Sequence, residues 1–330
     1  MSPRSPMRIF VTRPIPEAGI RPLKARGYDV AINAEARDRP AEERELVAGA
    51  RGTDAVLSLL TDKITSRVMD AGWPTLKIVA NLAVGYDNID LIAAAERNIR
   101  VTHTPGVLDE SVAEHAFALL MAISKRIVEG DRYVREGKFR SWGPMLMLGA
   151  DLAEKTLGLI GAGRIASRVA GFAHKGFRMK ILYNDLRRNE RLEDEVGATF
   201  VSPLEALIPQ CDFLSLHCPL NAQTEHLIDE RRLGLMKPSA YLINTARGPI
   251  VDEAALVRAL ELGKIKGAAL DVFEFEPKVT EGLLRLDNVV MTPHTASASE
   301  ATRNKMAEMA AANIIEALEG RTPPNLVKIS

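Results

Sequence analysis

The sequence predicts an α/β protein made of two doubly wound parallel-sheet domains with a cleft between them. Three observations carry that expectation. Short apolar runs alternate with amphipathic helical patterns along most of the 330 residues, and strands joined by crossover helices pair in parallel. A chain of this length exceeds one ordinary core, so two domains are expected. Only the second half carries a glycine-rich turn between a strand and a helix, so the halves share an architecture and differ in task.

In the first half, residues 8–12 form a β-like run. An amphipathic helix follows over 16–26, with Pro16 near its first turn and Gly27 past its end. Further strands are expected at 28–32, 55–60, 76–84 and 100–104, and helices at 42–50, 64–71 and 89–97. This part has no glycine fingerprint, so a doubly wound domain that need not hold a nucleotide is expected, with a flavodoxin-like substrate domain as the fold class. A long helix is then predicted over 109–130, because Val112, Ala116, Leu119, Leu120 and Ile123 recur at helical spacing. Residues 133–149 differ. Phe139, Trp142, Met145, Leu146, Met147 and Leu148 lie among glycines and a proline without a period. An apolar but irregular segment of this kind is expected to be an arm buried against another subunit.

Residues 156–185 read TLGLIGAGRIASRVAGFAHKGFRMKILYND. An apolar strand leads into Gly161-Ala162-Gly163, a helix begins at Arg164, and a second strand ends on Asp185. That order is the dinucleotide-binding fingerprint of a Rossmann domain. Gly161 permits the tight turn, and Gly163 has no side chain to keep a pyrophosphate from the backbone. The N–H groups opening the helix face that anion with the positive end of the helix dipole. Ala166 occupies the third glycine position and is small enough for close packing. Asp185 stands where a carboxylate binds both ribose hydroxyls and repels a 2′-phosphate. Arg187 and Arg188 oppose that preference, since either reaches toward such a phosphate. NAD is therefore expected, with NADP as the alternative.

Beyond the fingerprint, strands are expected at 213–218, 240–245, 268–273 and 289–292. Helices are expected at 230–236, at 252–262 (capped by Asp252, stopped by Gly263) and at 299–318. Periodicity does not assign the last helix to either domain. If it folds back on the first, the chain crosses between domains twice.

Composition narrows the function. The 43 basic and 43 acidic residues cancel, which points away from nucleic acid and membrane surfaces. The longest strongly apolar run, 116–123, is too short to span a bilayer. Cys211 and Cys218 flank a predicted buried strand without metal-ligand spacing, so no metal and reduced thiols are expected, in a cytoplasmic protein.

Three charged residues stand at strand ends in the second half, where open α/β sheets bind ligands. Arg247 follows YLINTA, Glu276 follows ALDVF, and His294 follows NVVMTP. A histidine exchanges protons near neutral pH, a carboxylate on its other nitrogen fixes its tautomer, and an arginine offers a planar fork to a carboxylate or carbonyl. Beside a nicotinamide the trio describes carbonyl reduction. Taken singly each has a structural alternative, and Glu274 competes with Glu276 for the acidic role.

The segments NLAVGYDNID, VTHTPGV, SVAEHAFALL, LGLIGAGRIA, HCPLNAQTEHLI, LINTARGPIVDEAAL, ALDVFEFEP and TPHTAS, in this order, resemble the D-isomer-specific 2-hydroxyacid dehydrogenase family over essentially the whole chain. NLAVGYDNID together with the arm RSWGPMLMLG is most similar to its glyoxylate/hydroxypyruvate reductase branch. The resemblance implies Arg247, Glu276 and His294 as the catalytic set. It implies a substrate-carboxylate loop at Leu82, Val84 and Gly85, with the N–H groups of Val84 and Gly85 donating. It implies cofactor contacts from Gly161, Ala162, Gly163, Arg164, Ile165, Asp185, Cys218, Pro219, Thr224, Thr245, Ala246, Arg247, Asp271 and His294. It also implies a discontinuous substrate domain (1–105 with 293–330), a dinucleotide-binding domain (106–292) and a homodimer through the 133–149 arm and the dinucleotide-binding domain. Leu186 stands where NADP-using relatives tend to place an arginine, which favours NAD. Asp109 stands where related branches often carry Thr or Ser near the cofactor phosphates. A carboxylate facing them is repulsive, so that contact is not expected here.

The expected activity is NAD(H)-dependent reduction of a small 2-keto acid to the D-2-hydroxy acid. The rivals are the same fold acting on a keto sugar acid, a phosphoglycerate-like acid, formate or phosphite, and a NAD-sensing corepressor-like binding protein.

Overall fold

In the computed structural model, residues 6–328 are described. The chain divides into two compact units, residues up to Leu108 together with those from Ala298 onward, and Asp109–Ser297.

The first unit is built on five parallel strands, β1 (Arg8–Val11), β2 (Asp29–Ile32), β3 (Ala55–Ser58), β4 (Ile78–Asn81) and β5 (Arg100–Thr102). Their order, β2-β1-β3-β4-β5, is the flavodoxin-like winding. Every residue of β3 and β4 is buried, as both faces of a helix-covered parallel sheet require. The intervening helices start on local caps. Asp90 accepts from the Ala93 N–H, and Glu42 and Glu45 form a reciprocal capping box.

The C-terminal helix, Glu300–Leu318, packs on the helix Glu17–Ala25 and on β3, β4 and β5. The two helices approach so closely that a Cβ on Gly19 would sit 2.8 Å from the Ala307 carbonyl oxygen. Buried Asn313 donates to the His103 carbonyl and accepts from the Asn325 N–H, and the Val327 N–H donates to the Val101 carbonyl at 2.8 Å. The tail thereby continues the edge of the first sheet.

The second unit holds seven parallel strands, β6 (Thr156–Ile160), β7 (Lys180–Asn184), β8 (Thr199–Phe200), β9 (Phe213–Leu216), β10 (Tyr241–Asn244), β11 (Gly267–Leu270) and β12 (Val289–Met291). Their order is β12-β11-β10-β9-β6-β7-β8. The winding reverses between β6 and β9, the switch point of a Rossmann sheet, where a crevice opens at the carboxyl ends of the strands. The α/β class with two doubly wound parallel sheets is thus observed.

Two local expectations are corrected. The helix predicted over 109–130 is two helices, Asp109–Ser124 and Ile127–Arg135, broken at Arg126 with φ 54°. Periodicity missed the break because its cause lies about 25 residues on in the chain. The Ala150 N–H donates to the Ser124 carbonyl, and Gly149 sits so close that a Cβ would lie 2.3 Å from that oxygen. The returning arm caps the first helix and turns the chain out. The strand predicted over 76–84 ends at Asn81, and residues 82–86 leave the sheet as a loop. Strand β8, with the helices Glu190–Val196 and Leu204–Leu207, was not anticipated. A two-residue strand carries no alternation to read.

Candidate active site

The sheet winding itself brings the strand-end residues of the second unit together. β10, β11 and β12 are adjacent and parallel, so their carboxyl ends lie about 5 Å apart in the sheet. Arg247 follows β10, Asp271 and Glu276 follow β11, and His294 follows β12. Gly161 to Ile165 follow β6, Asp185 follows β7, and Cys218, Pro219 and Thr224 follow β9. All the residues expected to serve chemistry or cofactor in this unit leave the sheet at that same edge.

His294 and Glu276 meet. His294 Nδ1 lies 2.9 Å from Glu276 Oε2, and the other oxygen, Oε1, accepts from the Phe273 N–H at 3.0 Å. An ionised carboxylate only accepts, so Nδ1 carries the hydrogen and Nε2 is left for chemistry. Glu274 is engaged elsewhere. It pairs with His226 at 2.7 Å and accepts from the Glu253 N–H, and the bond to His226 raises that histidine's pKa above its ordinary value.

His294 is held in a left-handed backbone conformation, φ 53°, which a non-glycine residue adopts only when its surroundings impose it. Those surroundings centre on Asp271, which is fully buried. Its Oδ1 accepts from Thr292 Oγ1 (2.6 Å) and the Thr295 N–H (2.8 Å), and its Oδ2 accepts from the Ala296 N–H (2.8 Å). Its carbonyl accepts from the His294 N–H. His115 Nε2 completes the cluster, 2.9 Å from Thr292 Oγ1 and 3.3 Å from Asp271 Oδ1. Burial alone raises a carboxyl pKa. Here the hydrogen bonds from His115, Thr292, Thr295 and Ala296 outweigh it and hold Asp271 below its ordinary value. The anchoring is therefore complete above the ordinary carboxylate pKa and is lost as pH falls through the lowered one.

Arg247 is set by its neighbours in the same way. Asn244 donates to the Arg247 carbonyl and accepts from the Ala246 N–H, which folds residues 244–247 into a fixed turn. Gly248 comes next. A Cβ there would lie 1.9 Å from the Phe273 carbonyl carbon and oxygen, so the Arg247 loop presses directly on the loop that carries Glu276.

The glycine turn has the features a dinucleotide needs. Gly161 has φ 88°, and a Cβ on it would meet the His217 and Cys218 backbone at 2.7 Å. Gly163 caps the helix Arg164–Phe177, and a Cβ on it would meet nothing within 4 Å, so the turn has an open side that would admit a pyrophosphate. Ala166 is fully buried, so the methyl fits at the third glycine position. Asp185 braces the turn, accepting from the Ala162 N–H through Oδ2 and from the Leu186 N–H through Oδ1, both at 2.6 Å. Thr245 Oγ1 is buried with no partner. An orphaned buried hydroxyl costs about 1–3 kcal/mol, and a bound dinucleotide would offer the missing partner. The residues present fit the dinucleotide.

Asp109 is buried and its Oδ2 accepts from Arg164 Nε at 2.7 Å. Its charge is neutralised by the first residue of the glycine-turn helix. The loop of Pro219 and Thr224 is closed by Thr224 Oγ1, which donates to the Pro219 carbonyl. Burial pushes the Cys211 thiol up to about 12 and the Cys218 thiol up to about 11, so neither is a nucleophile at neutral pH. In the first unit, Leu82 is buried and its N–H donates to the Ser58 carbonyl. Sequence reasoning missed Asn81, His103, His115, Asn244 and Gly248. For Asn81, His103 and Asn244 the available signal was a polar residue ending or following an apolar strand; His115 lies within the helix Asp109–Ser124 and Gly248 follows Arg247, and neither position carries such a signal.

A parallel sheet with a glycine turn at its switch point, and a histidine–carboxylate pair beside it, defines a nicotinamide-dinucleotide oxidoreductase. The family model described as D-isomer specific 2-hydroxyacid dehydrogenase, NAD binding domain, matches residues 117–296. The chain is 50% identical over 322 residues to the glyoxylate reductase of Korarchaeum cryptofilum, covering 97% of this chain and 95% of the relative. The crystal structure of a protein from Thermus thermophilus superposes with a TM-score of 0.91 at 43% identity, covering 98% of this chain and all of that one. An NADPH-dependent glyoxylate/hydroxypyruvate reductase from Sinorhizobium meliloti, crystallised with NADP and malonate, gives 0.86 at 34% identity, covering 98% and 97%. The chain belongs to the D-isomer-specific 2-hydroxyacid dehydrogenase family, and within it resembles the glyoxylate reductases. It is an NAD(P)-dependent oxidoreductase. Among the described residues no helix is long and apolar enough to cross a membrane.

Proposed function

We propose that the protein reduces glyoxylate, hydroxypyruvate or a similarly small 2-keto acid to the D-2-hydroxy acid with NADH. The observation that carries this reading is the 2.9 Å contact between His294 Nδ1 and Glu276 Oε2 at the cofactor edge of the sheet. A bound nicotinamide supplies hydride to the keto carbon. His294, protonated on both ring nitrogens, gives its Nε2 proton to the developing alkoxide, and Glu276 keeps the remaining hydrogen on Nδ1. Arg247 anchors the substrate through its guanidinium fork. The amides of Val84 and Gly85 take the carboxylate. In this proposal residues 1–105 with 293–330 serve the substrate and residues 106–292 serve the dinucleotide. The arm leaves Trp142 80% and Met145 77% exposed, an apolar surface that favours a homodimer.

NAD is the preferred cofactor in this reading. Asp185 sits beside the turn, and Leu186 beyond it is fully exposed and carries no charge. Arg188 is occupied by Glu193, at 2.7 and 3.1 Å. Asp185→Ser is expected to shift the NADPH/NADH ratio of kcat/KM upward by about ten- to a hundredfold, the scale of one removed charge repulsion. An unchanged ratio would place cofactor choice elsewhere.

The activity is tested by a steady-state panel of glyoxylate, hydroxypyruvate, pyruvate, a keto sugar acid, formate and phosphite with each nicotinamide cofactor. Rapid NADH oxidation with the small keto acids is expected. Binding of NADH without turnover on any substrate would favour a sensor and overturn the proposal.

A further inference from the structure

The loop after β4 is pinned from inside its own unit. Three successive carbonyls point into the unit and are held there. The Ala83 carbonyl accepts from the Thr104 N–H at 2.8 Å, the Val84 carbonyl from His103 Nδ1 at 2.8 Å, and the Gly85 carbonyl from Asn81 Nδ2 at 2.9 Å. A trans peptide is planar, with its C=O and the following N–H on opposite sides. Pinning those carbonyls inward therefore turns the N–H groups of Val84, Gly85 and Tyr86 outward. None of the three donates to an acceptor among the described residues. Adjacent outward amides make a concave nest for an anion.

Only the first pin is backbone to backbone. The other two depend on side chains, and both are braced. Asn81 is fully buried, accepts from Ser58 Oγ at 3.0 Å and meets Asn88 Oδ1 at 3.0 Å. Asn88 in turn donates to the carbonyls of Leu59 and Asp62. His103 is fixed at its own carbonyl by Asn313, at its N–H by the Asn325 carbonyl, and at its ring by an edge contact with Tyr86, centroids 5.5 Å apart. The acceptor is a carbonyl, so Nδ1 is the donor and the tautomer is set.

We infer that His103, supported by Asn81, is a positioning residue for substrate binding. By holding the Val84 carbonyl it aims the Gly85 N–H, and with the neighbouring pins it gives the loop its affinity for a carboxylate. This rests on the proposed role of the Val84 and Gly85 amides. His103 touches no reacting atom in this scheme. Its loss lets the 84–85 peptide rotate, which weakens carboxylate binding in the ground and transition states alike, so KM moves more than kcat.

His103→Phe keeps the ring and its contact with Tyr86 but removes the donor. KM for glyoxylate and Ki for oxalate, a carboxylate that is not reduced, are expected to rise together by about tenfold, as for one lost hydrogen bond serving a charge. KM for NADH is expected to stay within about twofold of wild type. His103→Asn replaces the donor with an amide N–H and is expected to recover most of the affinity. His103→Ala, read in the same assays, serves if the phenylalanine variant does not fold, and a thermal melt qualifies each protein. An unchanged KM in a folded donor-less variant overturns the inference. So does an asparagine variant as weak as the alanine one. A wild-type protein that reduces no 2-keto acid would instead sink the functional proposal itself. In that case oxalate binding, followed by protection of the melt, still tests the nest against His103→Phe.

Discussion

Replacing His294 with asparagine is expected to lower kcat for glyoxylate reduction by about 10²–10⁴-fold, the usual contribution of a positioned general acid, while leaving NADH binding nearly intact. Asparagine is chosen for physical reasons. His294 sits at φ 53°, a conformation asparagine tolerates better than alanine does. Its amide can still donate to Glu276 Oε2, now 2.9 Å from the ring nitrogen. The Asp271 cluster, which holds the His294, Thr295 and Ala296 amides, is then undisturbed, and only the proposed proton donor is gone. Fluorescence titration with NADH checks the cofactor site, and single-turnover reduction checks the chemistry. Wild-type turnover on every keto acid tried would remove His294 from the role of acid.

Why Glu276 and not Glu274 serves this histidine illustrates what the sequence could and could not carry. Both acids follow β11 and both have a histidine partner. Spacing alone leaves them equivalent. The choice is made by the turn, in which Glu276 reaches back to the Phe273 N–H and across to His294 while Glu274 faces Glu253 and His226. Elements with a strong period or a strong cap were legible. The fingerprint fell in place from Thr156 to Asp185, and the helix at Ser299 began at its cap. Features set by distant contacts were not. The break at Arg126 is imposed by Gly149 and Ala150, and the course of the loop after β4 by His103, whose Nδ1 donates to the Val84 carbonyl across 19 residues. The pairing of Asp109 with Arg164 spans 55 residues and resolves in tertiary structure what looked like a repulsive charge near the phosphates. The sequence motif predicts Asp185 as a ribose ligand, and its additional work as a brace for the Ala162 amide has no signature in the chain.

Gly248→Ala is expected to damage both stability and turnover, because the new methyl has nowhere to go. Its Cβ would lie 1.9 Å from the Phe273 carbonyl carbon and oxygen and 2.4 Å from the Glu274 nitrogen. Carbon atoms pack at about 3.5–4.0 Å, so one loop must retreat by more than about 1 Å. The atoms in the way are backbone, which cannot rotate aside. Overpacking of this kind costs about 1–3 kcal/mol, and each kcal/mol lowers Tm by about 2–4 °C in a domain of this size. The retreat separates the loop that carries Arg247 from the loop that carries Glu276, and a misplacement near 1 Å can cost about a hundredfold in rate. Gly163→Ala is the matched control. Its Cβ meets nothing within 4 Å, so the melt is expected to be unchanged while dinucleotide affinity falls. The two variants separate a glycine required by the protein's own packing from one required by its ligand. Wild-type kcat/KM and Tm for Gly248→Ala would mean that the contact between the two loops does not set the geometry of the site.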